Sequence, residues 1–332
     1  MTYLFLLGGL FLGWSFGRNN LSNVFGTAIG TRMVSFGWAA GLAGVFILLG
    51  ALFSSTSTTD SVLALGQIDS AFGALLVSFA IGLTILLAGE CGIPVSIVQC
   101  SVGAIVGWHI FFGTENNWSV ICEMVAAWFY SPVFAALVAG LCFYMTRYIL
   151  QRIHIPLLYR DLWVRLLLIV SGIYSAYFLG ANNMPAIAGP YLGVDAYSPL
   201  FVVLGVGIAI AVGALMADRR VIETVSSGLF PLSPLEGLVV VFSSGVVLYC
   251  FSGSGLERLL NFISLPTFPL VPIPSSSVLV GSIVGVGLAK GKSGIQWMAL
   301  LKVILSWVIV PVISGLICWL ILAILIRGGT IL

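Results

Sequence analysis

Paired asparagine side chains occur at two places in the sequence, each time at the end of an apolar run. The residues are Asn19, Asn20 and Asn23 in the first half, and Asn182 and Asn183 in the second. An amide side chain both donates and accepts hydrogen bonds, and placing it in hydrocarbon is unfavourable unless a partner is present. These five asparagines are therefore candidate binding residues for a polar solute or an ion.

Serine residues follow proline at two further places, and each of these stretches opens a new apolar run. The polar residues there are Ser96, Gln99, Ser275, Ser276 and Ser277. A helix that begins at such a stretch presents free backbone N–H groups and the positive end of its dipole, both of which bind anions. The alternative is a helix cap at the membrane surface. The occurrence of the stretch in both halves favours the anion site.

Two ionisable residues lie close to these stretches. Arg18 immediately precedes the first asparagine pair, where it is either a direct partner of an anion or a fixed counter-charge; the alternative is a side chain that extends to the membrane surface. Glu90 precedes the Gly92–Pro94 break and is the leading candidate for proton coupling. For Glu90 the alternative is an interfacial carboxylate.

The composition is typical of a helical membrane protein. The 332 residues are 60% hydrophobic and 7% charged, with a mean hydropathy of +1.17, which leaves too few charges to cover a soluble globule. The net charge of +2 gives no indication of nucleic-acid binding. The six cysteines and two histidines show no metal-ligand or catalytic spacing. We therefore expect no enzyme, no cofactor and no resident metal, apart from a sodium ion at the asparagine motifs if sodium is the coupling ion.

The second half of the chain repeats the first. A shift of 163 positions carries Gly17 to Gly180, and carries both asparagines of the first pair onto those of the second. After an insertion around residues 253–268 the shift grows to 178, which carries Pro94 to Pro272. The chain is thus predicted to consist of three parts: a first membrane repeat at 1–148, a basic cytoplasmic connector at 149–161 and a second membrane repeat at 162–332.

Apolar segments predict how the chain crosses the membrane. Residues 2–16 are too short for a full crossing of ~20 residues, so we expect the helix to break within the bilayer at the first asparagine motif. Five crossings are then expected between the two motifs. The segment after the Gly92–Pro94 break is equally compatible with the return arm of a re-entrant hairpin. An odd number of crossings inverts the second repeat relative to the first.

The placement of basic residues gives the orientation. The connector lies within the main basic cluster and is expected to be cytoplasmic by the positive-inside rule. Alternation then places Arg32, the Asp218–Arg220 stretch, Lys290 and Lys292 on the same side.

The predicted fold is all-α, a multi-pass protein of the cell membrane with two inverted-topology repeats. Their broken or re-entrant helices are expected to meet near the membrane midplane, which is the usual architecture of a secondary transporter that works by alternating access. An anion channel is the weaker alternative, because the sequence shows no pore-lining ring or filter.

The asparagine motifs resemble a known family signature. Gly17–Asn20 and Gly180–Asn183 are similar to the Gly-Ala-Asn-Asp sequence found once in each half of the PiT family of inorganic phosphate transporters. The similarity extends to Phe25–Gly30, Ile93–Ser96 and Arg220–Val225, and covers nearly the whole chain. The resemblance implies cation-coupled uptake of a tetrahedral oxyanion by a homodimer whose re-entrant hairpins contact the substrate.

The sequence departs from the family pattern where charge is concerned. The signature aspartate, which the family ties to the coupling cation, is replaced by Asn20 and Asn183, and the family histidine after the proline is replaced by Gln99 and Ser277. Since sulfate at neutral pH only accepts hydrogen bonds, these replacements favour a sulfate-preferring, proton-coupled permease over a sodium-coupled phosphate transporter. Asn carbonyl oxygens still suit sodium, so the coupling-ion candidates are Asn20, Asn183 and Glu90.

Overall fold

A computed structural model describes residues 2–54, 56–66, 68, 70–152, 156–194, 197–291 and 294–327. Within these residues the chain is helical and contains no β-strand. The helices are α1 Leu7–Gly30, α2 Phe36–Ser54, α3 Thr56–Leu63, α4 Ala71–Glu90, α5 Ile97–Phe112, α6 Trp118–Arg152, α7 Leu157–Leu192, α8 Pro199–Leu215, α9 Arg219–Glu223, α10 Pro234–Ser252, α11 Ser254–Phe262, α12 Ser275–Lys290 and α13 Trp297–Arg327. Among the described residues, α2, α4, α6, α7, α10 and α13 are each long and apolar enough to cross a membrane. The chain is a multi-pass membrane protein.

The two repeats pack against each other through equivalent helix pairs. The contact of α1 with α8 is repeated by that of α7 with α2, and the contact of α5 with α13 by that of α12 with α6. Glycines bring the backbones together at these crossings: a Cβ at Gly17 would overlap the carbonyl oxygen of Ile210, and one at the equivalent Gly180 would overlap that of Ile47. Such reciprocal contacts are what a two-fold relation between the repeats produces.

The order of contacts along these helices fixes their directions. Gly13 and Gly17 of α1 meet Val206 and Ile210 of α8 in the same order, so α1 and α8 run parallel. Contacts between α2 and α8 follow opposite orders, and the repeat makes α2 parallel to α7. The two motif-bearing helices, α1 and α7, therefore run in opposite directions, which confirms the predicted inversion.

Two helical hairpins enter the molecule from opposite faces. The first hairpin, α4 and α5, turns back at residues 91–96, the first tip, beside Asn19; the second, α10 and α12, has its tip at residues 263–274, beside Asn182. From Asn19 to its end at Gly30, α1 extends for roughly 16 Å at 1.5 Å per residue, so the first tip contacts α1 well inside the helix rather than at its end. The helices α5 and α12 have 16 residues each, too few for a full crossing. The re-entrant alternative is thus the observed one. The two arms of the first hairpin begin and end at the same face, where Gly66 meets His109, so neither counts as a crossing and the number of crossings between the motifs stays odd.

The predicted helix break at the asparagine motifs is wrong, because α1 and α7 run through them without interruption. In each motif the second asparagine donates to a carbonyl oxygen one turn earlier, Asn20 to Phe16 at 3.2 Å and Asn183 to Leu179 at 2.9 Å. This bond gives the Nδ2 group of each amide a partner inside its own helix, so the polar pair does not require a break. The breaks lie instead at the two tips and between α8 and α9, where the axis bends by 73°.

Basic side chains gather on the face where α6 ends and α7 begins, here called the connector face. Arg32 shares a cavity with the start of α7, Arg147 shares another with Arg160, and Lys290 pairs with an acid that lines this second cavity. The predicted placement of Arg32 and Lys290 on one side agrees with this arrangement. Lys292 lies outside the described residues.

Replacing Gly50 of α2 by alanine should destabilise the fold. A Cβ there would overlap the carbonyl oxygen of Tyr177, which forces α2 and α7 apart, and overpacking of this kind costs about 1–3 kcal/mol. We expect a lower melting temperature in detergent solution. Gly41→Ala is the matched control in the same helix, since no atom of a described residue lies within 4 Å of a Cβ there. Equal melting temperatures for the two variants would contradict the packing.

Candidate functional site

The first asparagine of each motif holds a hairpin tip. Asn19 donates from Nδ2 to the Ile93 carbonyl oxygen and accepts with Oδ1 from the Val95 N–H, both at 3.3 Å. Asn182 donates to the Ile273 carbonyl oxygen at 2.8 Å and accepts from its N–H at 3.0 Å. Both amides are engaged by backbone on both sides, so in this structure these two side chains position the tips.

The second asparagine of each motif differs in its partners between the repeats. Asn23 donates to the Asn20 Oδ1 at 2.6 Å and to the Ser275 Oγ at 3.4 Å. The second repeat has Ala186 in place of Asn23, and the Asn183 Oδ1 has no hydrogen-bond partner among the described residues. The Asn23 Oδ1 lacks one there as well. Two buried amide oxygens are therefore available as acceptors.

The first turns of α5 and α12 supply hydrogen-bond donors. The side chains of Ser96, Gln99, Ser276 and Ser277 are at most 1% exposed, and their Oγ or Nε2 atoms have no hydrogen-bond partner within the described parts of the chain. The backbone N–H groups of a first turn have no partner inside the helix, and the dipole adds positive potential there.

Contacts with α1 bring the two helix starts together. Asn19 binds the tip that leads into α5, and Asn23, one turn further along α1, binds Ser275 at the start of α12. Residues four apart lie on the same side of a helix, so both starts meet the same stretch of α1. The structure thus collects on either side of one helix the residues that the sequence singled out separately.

Six of the unpartnered groups, at the two helix starts and in the asparagine motifs, form a neutral set that suits an anion. It comprises three hydroxyl groups, the Gln99 amide and the two amide oxygens, with no carboxylate. A buried polar group without a partner is unfavourable by about 1–3 kcal/mol, so six of them at the two helix starts and in the asparagine motifs indicate a place for a ligand. Donors at helix starts suit an oxyanion, whereas the two amide oxygens suit a hydrogen-bond donor on the ligand or a small cation.

Arg18 belongs to a network of charges beside this set. Its guanidinium forms an ion pair with Asp218 and a second one with Glu90 at 3.3 Å, and Arg220 lies 4.0 Å from the Glu90 carboxylate. The side chains of Arg18 and Asp218 are 17% and 10% exposed, whereas that of Glu90 is 58% exposed. Arg18 has carboxylate partners of its own, which favours the counter-charge interpretation over direct anion contact. Glu90 lies at the exposed edge of the network.

The two tips are held alike by hydroxyl groups and differently by charge. Thr224 donates from Oγ1 to the Gly92 carbonyl oxygen, and the repeat-related Ser61 donates to that of Leu270, both at 2.8 Å. The second motif has alanine at the position equivalent to Arg18, so it cannot repeat the ion pair. Both tips are therefore bonded to a neighbouring helix in the same way, and the first tip carries an additional electrostatic tie.

Asp218 is the partner of Arg18, a role that the sequence did not predict. For the Asp218–Arg220 stretch the sequence predicts only the cytoplasmic side; in the structure the stretch lies where α8 bends, and the Asp218 N–H donates to the Arg18 carbonyl oxygen at 3.0 Å. An arginine in an apolar segment calls for a carboxylate partner, and this was the available signal. With several acids in the chain and 200 positions between the partners, the sequence alone did not select the right one.

Asp218→Asn should destabilise the protein more than Glu90→Gln. Removing Asp218 leaves the guanidinium of Arg18 without its more buried partner, and breaking a buried ion pair from one side costs about 3–5 kcal/mol. The exposed Glu90 carboxylate should contribute at most about 1 kcal/mol. Melting temperatures in detergent measure both effects, and Arg18→Ala combined with Asp218→Ala should recover part of the loss. If Asp218→Asn melts at the wild-type temperature, the network does not stabilise the first tip.

Comparisons with known proteins agree with this architecture. Residues 16–257 and 262–330 match the model of the "Phosphate transporter family". The chain is 26% identical, over 93% of each chain, to the protein MJ0630 of Methanocaldococcus jannaschii, whose name proposes a phosphate permease. It is 24% identical to the sulfate permease CysP of Bacillus subtilis, over 97% of this chain and 88% of that protein.

A solved structure shares the fold. The structure of a protein titled "The sodium-dependent phosphate transporter" superposes with a TM-score of 0.75 at 21% identity, over 96% of this chain and 98% of the other. The protein of that solved structure and the members of the matched family are transporters rather than enzymes. With the family model covering most of its length, the chain belongs to the phosphate transporter family.

Proposed function

We propose that the protein is a secondary transporter that carries a tetrahedral inorganic oxyanion, phosphate or sulfate, by alternating access together with a cation, H⁺ or Na⁺. The observation that carries the proposal is the neutral set of unpartnered polar groups at the starts of α5 and α12. A desolvated oxyanion requires many hydrogen bonds, which the donors of this set can supply. The two helix dipoles add positive potential.

The two closed tips support alternating access. Each tip would cover the set from one face, and each is held by a hydroxyl group, from Thr224 or from Ser61, together with its asparagine. Opening one tip while the other remains closed exposes the set to one face at a time, and the inverted repeat makes the two openings equivalent motions. A channel would need both tips open together, so the channel alternative receives less support.

The orientation follows from the connector face. With Arg32, Arg147, Arg160 and Lys290 gathered there, the positive-inside rule makes this face cytoplasmic. The first tip, which carries the ion pair of Arg18 with Asp218, then closes the cytoplasmic route. Assembly as a homodimer is proposed from the family resemblance.

The second candidate function is a sulfate-preferring permease. The specific observation is that Asn20 and Asn183 stand where the family has aspartate, so the set contains no carboxylate to accept the hydrogen of hydrogen phosphate. A family relative is named as a sulfate permease. Against this candidate stand the amide oxygens of Asn23 and Asn183, which are unpartnered within the described chain and could accept that hydrogen.

The coupling ion has two proposed locations. The free Asn183 Oδ1 suits sodium, whereas the Asn20 Oδ1 already accepts from Asn23 and would have to release it. The proposed location for a coupling proton is Glu90, whose exposed carboxylate lies beside Arg18 and Arg220 at the first tip. A change in its charge would alter the tie that closes this tip.

Uptake of labelled sulfate and phosphate into proteoliposomes tests the proposed function. We expect either an inward proton gradient or an inward sodium gradient to drive accumulation beyond electrochemical equilibrium. Excess sulfate should inhibit phosphate uptake. Accumulation with neither gradient would contradict symport, and uptake that never exceeds equilibrium would identify a channel. Strong phosphate uptake that is unaffected by excess sulfate would exclude the sulfate-preferring candidate, and proton-driven uptake unchanged in Glu90→Gln would exclude that residue.

A double variant, Asn20→Asp with Asn183→Asp, serves as the internal comparison for substrate choice. The two added carboxylates should repel sulfate and lower its uptake by about tenfold or more while phosphate uptake persists. A repulsion of only ~1.4 kcal/mol changes a binding equilibrium tenfold. Asn117→Asp adds a charge at an exposed loop residue and should leave both activities unchanged. Equal losses of sulfate and phosphate uptake would show that these positions do not discriminate between the anions.

A further inference from the structure

A cavity of about 420 Å³ opens at the connector face between α6, α7 and α10, away from the oxyanion set. Arg147 and Arg160 line it, together with the polar side chains of Thr146, Gln151 and Ser233. The cavity therefore presents charged and polar side chains beside the apolar Phe143, Leu150 and Leu235. It lies at the end of three helices, where a membrane protein meets the lipid headgroups.

The charge of this cavity is positive and uncompensated. Glu236 is its acidic lining residue, and its carboxylate is already paired with Lys290 at 2.7 Å. Neither Arg147 nor Arg160 forms an ion pair with any residue that the structure describes. Two guanidinium groups are thus left for an anionic partner.

An apolar groove continues from the cavity along the same three helices. It has a volume of about 390 Å³ and runs from Thr146, which lines both spaces, past Met145 and Val170 to Phe242. Val170 is 61% exposed and Phe242 is 44% exposed, so the groove is open to the hydrocarbon around the protein. A positive polar cavity and an apolar groove therefore form one continuous surface.

We propose that this surface is a binding site for an anionic phospholipid, with its phosphate on Arg147 and Arg160 and an acyl chain in the groove. A free inorganic anion would use the arginines but leave the apolar groove empty. A lipid satisfies both parts at the depth where the bilayer supplies them, and basic pockets between helices at this face are a recurring form of anionic lipid recognition.

The position of the site connects it with the second hairpin. α10 is the first arm of this hairpin, and Glu236, in its first turn, pairs with Lys290 at the end of the second arm. A lipid bound between α10, α6 and α7 would brace the base of the hairpin. The proposal rests on the two cavities alone and does not depend on which anion is transported.

Native mass spectrometry of the purified protein, with phosphatidylglycerol and phosphatidylcholine offered in equal amounts, tests the proposal. The wild type should retain phosphatidylglycerol selectively, and the preference should fall about fivefold for each arginine removed in Arg147→Gln and Arg160→Gln. Arg152→Gln is the matched control, because this arginine lies over the Tyr148 ring and does not line the cavity. It should bind as the wild type does.

Two further arms separate the possible occupants. Val170→Trp fills the groove without touching the arginines and should also reduce phosphatidylglycerol retention. Excess inorganic phosphate should not displace the lipid. Wild-type retention in the arginine double variant or in Val170→Trp would overturn the proposal, as would displacement by inorganic phosphate. If the arginine variants or Val170→Trp lose a protein dimer while lipid binding is unchanged, the surface belongs instead to a contact with a second copy of the chain.

Discussion

A polar group in the membrane interior needs a hydrogen-bond partner, and the centre of this protein is built around that requirement. Asn19 and Asn182 meet it by binding the backbone of the hairpin tips, which places the start of α5 beside α1 and that of α12 beside α7. Asn23 then brings the start of α12 to α1 through Ser275. Six of the buried groups that remain without partners among the described residues belong to these helix starts and to the asparagine motifs. Architecture and candidate site thus follow from one constraint, satisfied in one set of residues and unmet in the other.

The differences between the repeats carry as much information as their likeness. Backbone contacts at Gly17 and Gly180, and hydroxyl ties at Thr224 and Ser61, occur once in each half. The charge network of Arg18 occurs at the first tip, and its counterpart position holds alanine. An inverted repeat with equal halves would have no preferred direction in its resting state. Here the additional ion pair of Arg18 with Asp218 lies at the first tip and has no counterpart at the second.

Much of the fold was predictable because the sequence contains an internal repeat. The shift of 163 positions identified equivalent helices, and the parity of the apolar segments identified their opposite directions. The location of the helix breaks was not predictable, because an asparagine pair either interrupts a helix or bonds to its own previous turn, as Asn20 does with Phe16. The partner of Arg18 was equally hidden, since residue type does not choose among distant acids.

Locating a bound oxyanion tests the central claim most directly. Selenate is a heavy analogue of sulfate whose position can be read from anomalous scattering in crystals of the protein. The account predicts one strong peak between the starts of α5 and α12, within hydrogen-bonding reach of Ser96 and Ser276. A peak beside Arg18 and Arg220, or none at these helix starts at saturating selenate, would contradict it.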